Sequence, residues 1–334
     1  MQESSAALNK QHWASIQEAG TLTGLRFLFL LYRLFGKRFY SLLMYPVALY
    51  FVLFNGVSRR ASQQFLDLHY QKQPEFWVSP PTLWSSVIHF KHFAETILDK
   101  GLAWYSEMTE DEFVIEDFSI IEELMADKRG QLVIGTHFGN LEYCRGFMQR
   151  YKEKTINILV YDKHSANFVQ IMQKLNPDSR VNVFQVDEFD VPTILLLKQK
   201  IDKGEWVFIA GDRIPLAGLE HTIEVDFLDN KAPLPMGPYL LAKALACPVK
   251  LMYGYRHPKL DKNKVFFEVV PFCDAITFTR KDRKEKLQSY AQEFAFHLER
   301  HCLQAPYQWF NFYNFWEPAK LVNKEEPVKK GKVS

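Results

Sequence analysis

The chain has 334 residues, enough for one large domain or two modest ones and for a sizeable core. Its 41 Lys plus Arg nearly balance 39 Asp plus Glu, for a formal net charge of +2. That balance argues against a dedicated nucleic-acid binder, which carries a strong basic excess, and against an acidic disordered scaffold.

Hydrophobic residues at 47% and charged residues at 24% are ordinary for a globular protein. Aromatics at 15%, with 28 Phe, are high. They suit a protein that handles apolar chains or touches a bilayer. Cys144, Cys247, Cys273 and Cys302 show no CxxC spacing. Neither a disulfide framework nor a Cys-rich zinc site is expected, and a reducing compartment fits.

The N-terminus lacks a cleavable signal pattern, because its first apolar run begins only after Glu18. Leu25–Phe35 is apolar, broken by Arg26 and Arg33 and closed by Gly36, a natural helix stop. Phe39–Phe54 is uncharged, holds Pro46, and is shorter than the ~20 residues that span a bilayer. Lys37, Arg38, Arg59 and Arg60 flank it on both sides. Residues 1–57 are therefore expected to form a helical segment lying in the membrane interface. A single crossing and a hairpin buried on the rest of the protein are the alternatives.

Helices are expected from Ser58 through Tyr70 and from Thr82 to Lys100, stopping at Gly101. After that, short β-rich runs alternate with helical ones. Strands are expected at Phe113–Ile115, Leu132–Ile134, Ile156–Val160, Val181–Phe184 and Trp206–Ile209. Helices are expected at Ile120–Asp127, Asn140–Arg150, Ser165–Leu175 and Val191–Asp202. Further strands follow at Thr222–Phe227, Val249–Tyr253 and Val265–Val270, with helices at Pro235–Ala246 and Lys284–Leu303. This rhythm predicts an α/β fold over residues 58–322, with a mostly parallel central sheet flanked by helices. Residues 323–334 read as a disordered polar tail.

Two strand ends carry polar chemistry. LVIGTHFGNLEYCR (132–145) places His137 in the turn after an apolar strand, with a helix starting near Asn140. Ligands of open α/β sheets bind beyond the carboxyl ends of strands. Glu142, five residues on, can reach back to orient the imidazole, which can then take a proton from an alcohol at neutral pH. Free amides at the helix start, near Gly139 and Asn140, can bind an anion or a developing oxyanion. The plainer alternative is a capping His and a Glu placed for the helix dipole. WVFIAGDRIP (206–215) repeats the layout with Asp212 and Arg213, and Arg213 suits a phosphate or carboxylate. A structural Asp–Arg pair is the alternative there.

His89 and His92 read as helix-surface or packed residues, and no metal site is expected. Cys144 falls mid-helix, unsuited to a nucleophile. There is neither a G-x-S-x-G elbow nor a G-x-x-x-x-G-K phosphate loop. The closing aromatic stretch Trp309–Trp316 reads as core or interface.

Together these residues resemble the lysophospholipid acyltransferase superfamily. THFGNLE, with His137 and Glu142, looks like its His-x4-acid motif. The nearer branch contains the late acyltransferases of lipid A biosynthesis. Agreement with it runs in order from HWASIQEAG through YRLFGKR, the His137 block, Asp212–Arg213 and LPMGPYLLAKALACPV to PYQWFNFYNFW. It is nearer still to a subgroup of predicted acyltransferases, some of which accompany aryl-polyene synthesis. The GDRIP segment departs from the acidic pattern usual there.

The resemblance implies acyl transfer from an acyl carrier protein or acyl-CoA thioester to a hydroxyl of a lipid or glycolipid, with no cofactor. It implies His137 and Glu142 as catalytic residues, and Gly139, Asn140, Arg145, Asp212 and Arg213 as substrate contacts. The implied location is the cytoplasmic face of the cell inner membrane, as a peripheral, monotopic or single-pass protein.

Overall fold

The computed structural model describes residues 22–105, 109–149, 154–160, 180–185, 190–214, 219–261 and 264–316. The expected helix at 165–175 and the tail at 323–334 lie outside them. Helix α1 (Leu22–Phe54) is two helices joined at Gly36, whose φ of 77° and ψ of 177° leave the helical region. The expected stop is thus a kink, allowed because Gly has no Cβ to clash. Tyr40, Met44, Ala48 and Val52, each four residues apart, form one buried stripe. They pack beside Val87, Phe90 and Leu98 of helix α3 (Leu83–Tyr105).

Helix α2 (Gly56–Lys72) is capped by Asn55, which accepts from the Ser58 amide, so the cap lies three residues before the expected Ser58. Helix α3 runs through Gly101, the expected stop. A mid-helix Gly costs only about 1 kcal/mol against Ala. Burial offsets that cost on the preceding turn, where Asp99 accepts from Lys37 of α1, Tyr143 and Arg256.

A seven-stranded sheet follows, in the order β1-β9-β8-β2-β5-β3-β4. Its strands are β1 (Phe113–Ile115), β2 (Gln131–Gly135), β3 (Ile156–Val160), β4 (Val181–Gln185), β5 (Trp206–Ala210), β8 (Val249–Tyr255) and β9 (Val265–Cys273). All neighbours run parallel except β8 with β9. The fold is α/β, as expected. Helices α4 (Phe118–Ala126), α5 (Leu141–Gln149), α6 (Val191–Asp202), α7 (Gly237–Leu245) and α8 (Arg283–Gln304) accompany it.

Strand alternation divides the core. Leu132, Ile134, Val207, Ile209 and Leu251 join a large cluster with α7 and α8. Val133, Trp206, Phe208 and Met252 face the other way, toward α4 and α5. A sheet covered on both faces explains why β2 reads as an unbroken apolar run.

The hairpin β6 (Thr222–Phe227) and β7 (Asn230–Pro235) forms a separate two-stranded sheet. Its turn residues Leu228 and Asp229 both have positive φ, at 50° and 57°. That pairing suits a tight two-residue hairpin. The second strand was not anticipated, because Pro233 and Pro235 argue against a strand.

Candidate active site

Strands β2 and β5 are neighbours in register, with Gly135 opposite Ala210. His137 and Asp212 each lie two residues beyond that pair, at the carboxyl edge. The register alone therefore brings together residues 75 positions apart. His137 Nδ1 lies 2.7 Å from Asp212 Oδ1, and the His137 amide donates to Asp212 Oδ2 at 2.8 Å. An ionised carboxylate only accepts, so Nδ1 carries the hydrogen and Nε2 keeps its lone pair. Nε2 has no protein partner among the described residues. The side chain is 28% exposed, whereas Asp212 is fully buried.

The carboxylate expected on the imidazole was Glu142, and the structure places Asp212 there instead. Glu142 sits in the first turn of α5 and accepts from Arg145 Nε at 2.6 Å. The reason is helical geometry: residues three apart share a face, and Arg145 is buried and needs an acceptor.

A second expectation also changes. The Gly139 amide donates to Gln308 O at 2.7 Å and the Asn140 amide to Gly254 O at 2.7 Å. The amides of Glu142 and Tyr143 both donate to Asn140. The Gly139 and Asn140 amides are therefore not available to an oxyanion. They fasten the His137 loop to β8 and to the chain's closing segment. Position 139 requires glycine: φ is +66°, and a Cβ would stand 2.3 Å from Gly254 O.

The closing segment completes the site. Phe138 and Trp309 form an antiparallel bridge, and the Phe310 amide donates to His137 O at 2.9 Å. Trp309 Nε1 donates to Asp212 Oδ2 at 3.0 Å. Asn311 Nδ2 donates to the Asp212 carbonyl at 3.2 Å and lies 3.4 Å from Oδ2. Arg213 Nε reaches Asn311 Oδ1 at 3.4 Å. Trp309 and Asn311 were not foreseen as site residues. The available signal was an Asn inside WFNFYNFW, because a polar group buried among rings must find a partner.

Electrostatics follow from this geometry. Burial lowers the His137 pKa, and the Arg213 charge adds to that, with Asp212 opposing both. The imidazole is therefore neutral at pH 7. Burial alone would raise Asp212, but the charge and hydrogen bonds of His137, with Arg213, hold it below the usual carboxylate value.

Other candidates do not join this group. Cys144 is buried with its thiol pushed far up by burial, unsuited to attack. His89 is buried between Ser62 and the Trp309 carbonyl. No three His, Cys, Asp or Glu side chains gather at metal-binding spacing among the described residues.

The arrangement is a carboxylate-held neutral imidazole with one open nitrogen, next to an arginine, at the mouth of a parallel sheet. It can remove a proton from a bound hydroxyl and stabilise the anion that results. No curated protein is similar enough to count as a relative. Residues 82–317, more than two thirds of the chain, match the family described as bacterial lipid A biosynthesis acyltransferase. That span holds α3, the two strands whose carboxyl edges carry His137 and Asp212, and the Trp309 segment, so the chain belongs to this family and is an acyltransferase.

Proposed function

We propose that the protein moves a fatty acyl or aryl-polyene acyl group from an acyl carrier protein or acyl-CoA thioester to a hydroxyl of a lipid or glycolipid. His137 Nε2 takes the hydroxyl proton as the oxygen attacks the thioester carbonyl carbon. The tetrahedral oxyanion forms beside Arg213. The C–S bond then breaks, and the leaving thiolate receives the proton back from Nε2. Asp212 holds the imidazole in the required tautomer and balances its transient charge. Glu142 acts through buried Arg145, the pair holding the first turns of the helix that follows the His137 loop. Asn140 and Gly139 shape the loop. The observation that carries this reading is the 2.7 Å His137–Asp212 contact with Nε2 left open.

The test uses purified full-length protein with an acyl-thioester and a lipid acceptor extract, with products read by mass spectrometry. His137→Ala should lose roughly 10³-fold in transfer per folded molecule. Equal turnover in that variant would overturn the base. Acyl release at the same rate without acceptor would make the protein a thioester hydrolase instead.

The membrane reading rests on α1. No single helix among the described residues is long and apolar enough to cross a membrane. Leu30–Phe54 and Gly56–Lys72 meet at 102° and together meet the length and composition of a bent pair. One stripe of α1 is docked on α3, but Leu34, Leu42, Leu53 and Phe54 are exposed, Phe54 at 73%. An apolar groove of about 470 Å³ between α1 and Trp84 is lined by Phe39, Leu42, Leu43, Tyr45 and Pro46. Exposed Arg33, Arg38 and Arg60 flank the apolar stretch. These features support a peripheral or monotopic helix in the interface of the inner membrane's cytoplasmic face. Leu42→Asp with Leu53→Asp should release the protein from anionic vesicles, and retained binding would refute this surface.

A further inference from the structure

We propose that Trp309 is a positioning residue for the base: its indole N–H holds the Asp212 carboxylate so that Oδ1 faces His137 Nδ1. This rests on reading His137 as the base and Asp212 as its partner. Asp212 Oδ2 accepts from two short, rigid donors, the His137 amide at 2.8 Å and Trp309 Nε1 at 3.0 Å, with Asn311 Nδ2 farther off at 3.4 Å. Tied from both, the carboxylate cannot rotate, and Oδ1 is left for the imidazole. The indole nitrogen can only donate, so its direction is fixed by the ring.

The ring itself is held. Phe65, Phe315 and Phe227 surround it at centroid distances of 4.9, 5.0 and 5.2 Å. On the backbone side, His89 Nε2 lies 2.9 Å from Trp309 O. A carbonyl only accepts, so His89 donates from Nε2 and receives the Ser62 hydroxyl at Nδ1, 3.0 Å away. Burial lowers the His89 pKa to about 3, so this neutral arrangement persists over the working pH range. A line of contacts thus runs from α2 through α3 and the closing segment to the imidazole. Core packing alone would need only an aromatic ring at 309. The donor aimed at a buried carboxylate is the part that packing leaves unexplained.

The consequence is electrostatic. Each N–H on Oδ2 stabilises the Asp212 charge and weakens its hold on a proton shared with His137. Removing the indole donor should strengthen that hold and raise the imidazole pKa. Arg213 and Lys100 near the imidazole, and Tyr253, Cys302 and Tyr313 near the carboxylate, are unchanged by such a variant.

The experiment is a titration of the full-length protein labelled with 15N-histidine, His137 being identified by its loss in His137→Ala. In Trp309→Phe the His137 titration should move up by roughly half a pH unit. The acid limb of kcat/KM with an acyl-CoA donor should move with it. In an Asp212→Asn background, Trp309→Phe should produce no further shift. If Trp309→Phe fails to fold, benzothienylalanine at 309 fills the same space with sulfur in place of the N–H. An unmoved His137 titration, or an equal shift in the Asp212→Asn background, overturns the proposal. A wild-type His137 without an Asp-bound Nδ1–H resonance would instead sink the base–carboxylate reading on which it rests.

Discussion

Two histidine–carboxylate pairs lie near Phe138, one next to it in sequence and one with its imidazole 5.7 Å from the Phe138 ring, in opposite settings. His301 Nε2 is 2.8 Å from Glu268 Oε2, nearly the same contact that His137 makes with Asp212. But His301 also has Nδ1 at 2.7 Å from the His297 carbonyl, stacks on Tyr253 at 3.6 Å, and is 1% exposed. Both its nitrogens are occupied. At His137 one nitrogen is occupied and the other has no protein partner among the described residues, on a side chain 28% exposed. A carboxylate orients either ring equally well. What separates a structural pair from a reactive one is the second nitrogen, and that is decided by position. His137 sits past the end of β2, at the open edge, while His301 sits in the last turn of α8 with its face against β8.

The sharpest way to break this comparison is at the carboxylates. Asp212→Asn keeps the shape but cannot balance an imidazolium, and an amide in that position invites the wrong tautomer. Transfer should fall by roughly 10³-fold. Glu142→Gln, which disturbs Arg145 but leaves His137 held, should cost about tenfold or less. Measured side by side as kcat, the order should be Asp212 well beyond Glu142. The reverse order would return the orienting role to Glu142 and remove Asp212 from it.

That contrast also marks what sequence reading reaches. The alternation of strands and helices was legible, because covered parallel strands are continuous apolar runs and amphipathic helices repeat every three to four residues. Strands Phe113–Ile115, Ile156–Val160 and Thr222–Phe227 and the helix Val191–Asp202 stand where the pattern put them, to the residue. His137 was legible as a polar group after a strand that ends in glycine. Its partner was not. The His-x4-acid spacing offered a local carboxylate, whereas Asp212 arrives through the β2–β5 register across 75 residues. Trp309 was hidden for a different reason. Its ring does what any core aromatic does, and only the N–H direction, which no pattern encodes, shows the second role. The hairpin strand Asn230–Pro235 was missed because its prolines lack the N–H that central strands use, a loss tolerable in a two-stranded sheet.

The other pair makes the complementary prediction. His301→Leu removes a partner from Glu268, which burial pushes up but which His301 and Arg300 hold down at about 2. Leaving that acid with Arg300 alone should cost about 3 kcal/mol of stability, measurable as a fall in the denaturant midpoint. Turnover per folded molecule should stay within about threefold. A loss of turnover comparable to His137→Ala, with stability intact, would place chemistry at the closed pair and dissolve the distinction drawn here.

The smallest expected effect is a displacement along the pH axis, and its sign can be worked out. Burial first, and the Arg213 charge second, lower the His137 pKa below its ordinary value near 6.5. The acid limb of kcat/KM should therefore lie below pH 6.5, with the base form dominant at neutrality. The unfolded chain binds this proton before the folded one does, so the group's contribution to stability is intact above 6.5. It is lost as pH falls from there through the folded value. Arg213→Gln removes one of three lowering influences, leaving burial and the Lys100 charge, while Asp212 still pulls the other way. The limb should then move up, toward 6.5, by roughly half a unit. A limb that stays put in Arg213→Gln would mean the guanidinium is too well screened from the imidazole to steady an oxyanion formed beside it, and would leave burial, with the Lys100 charge, as the cause of the neutral base.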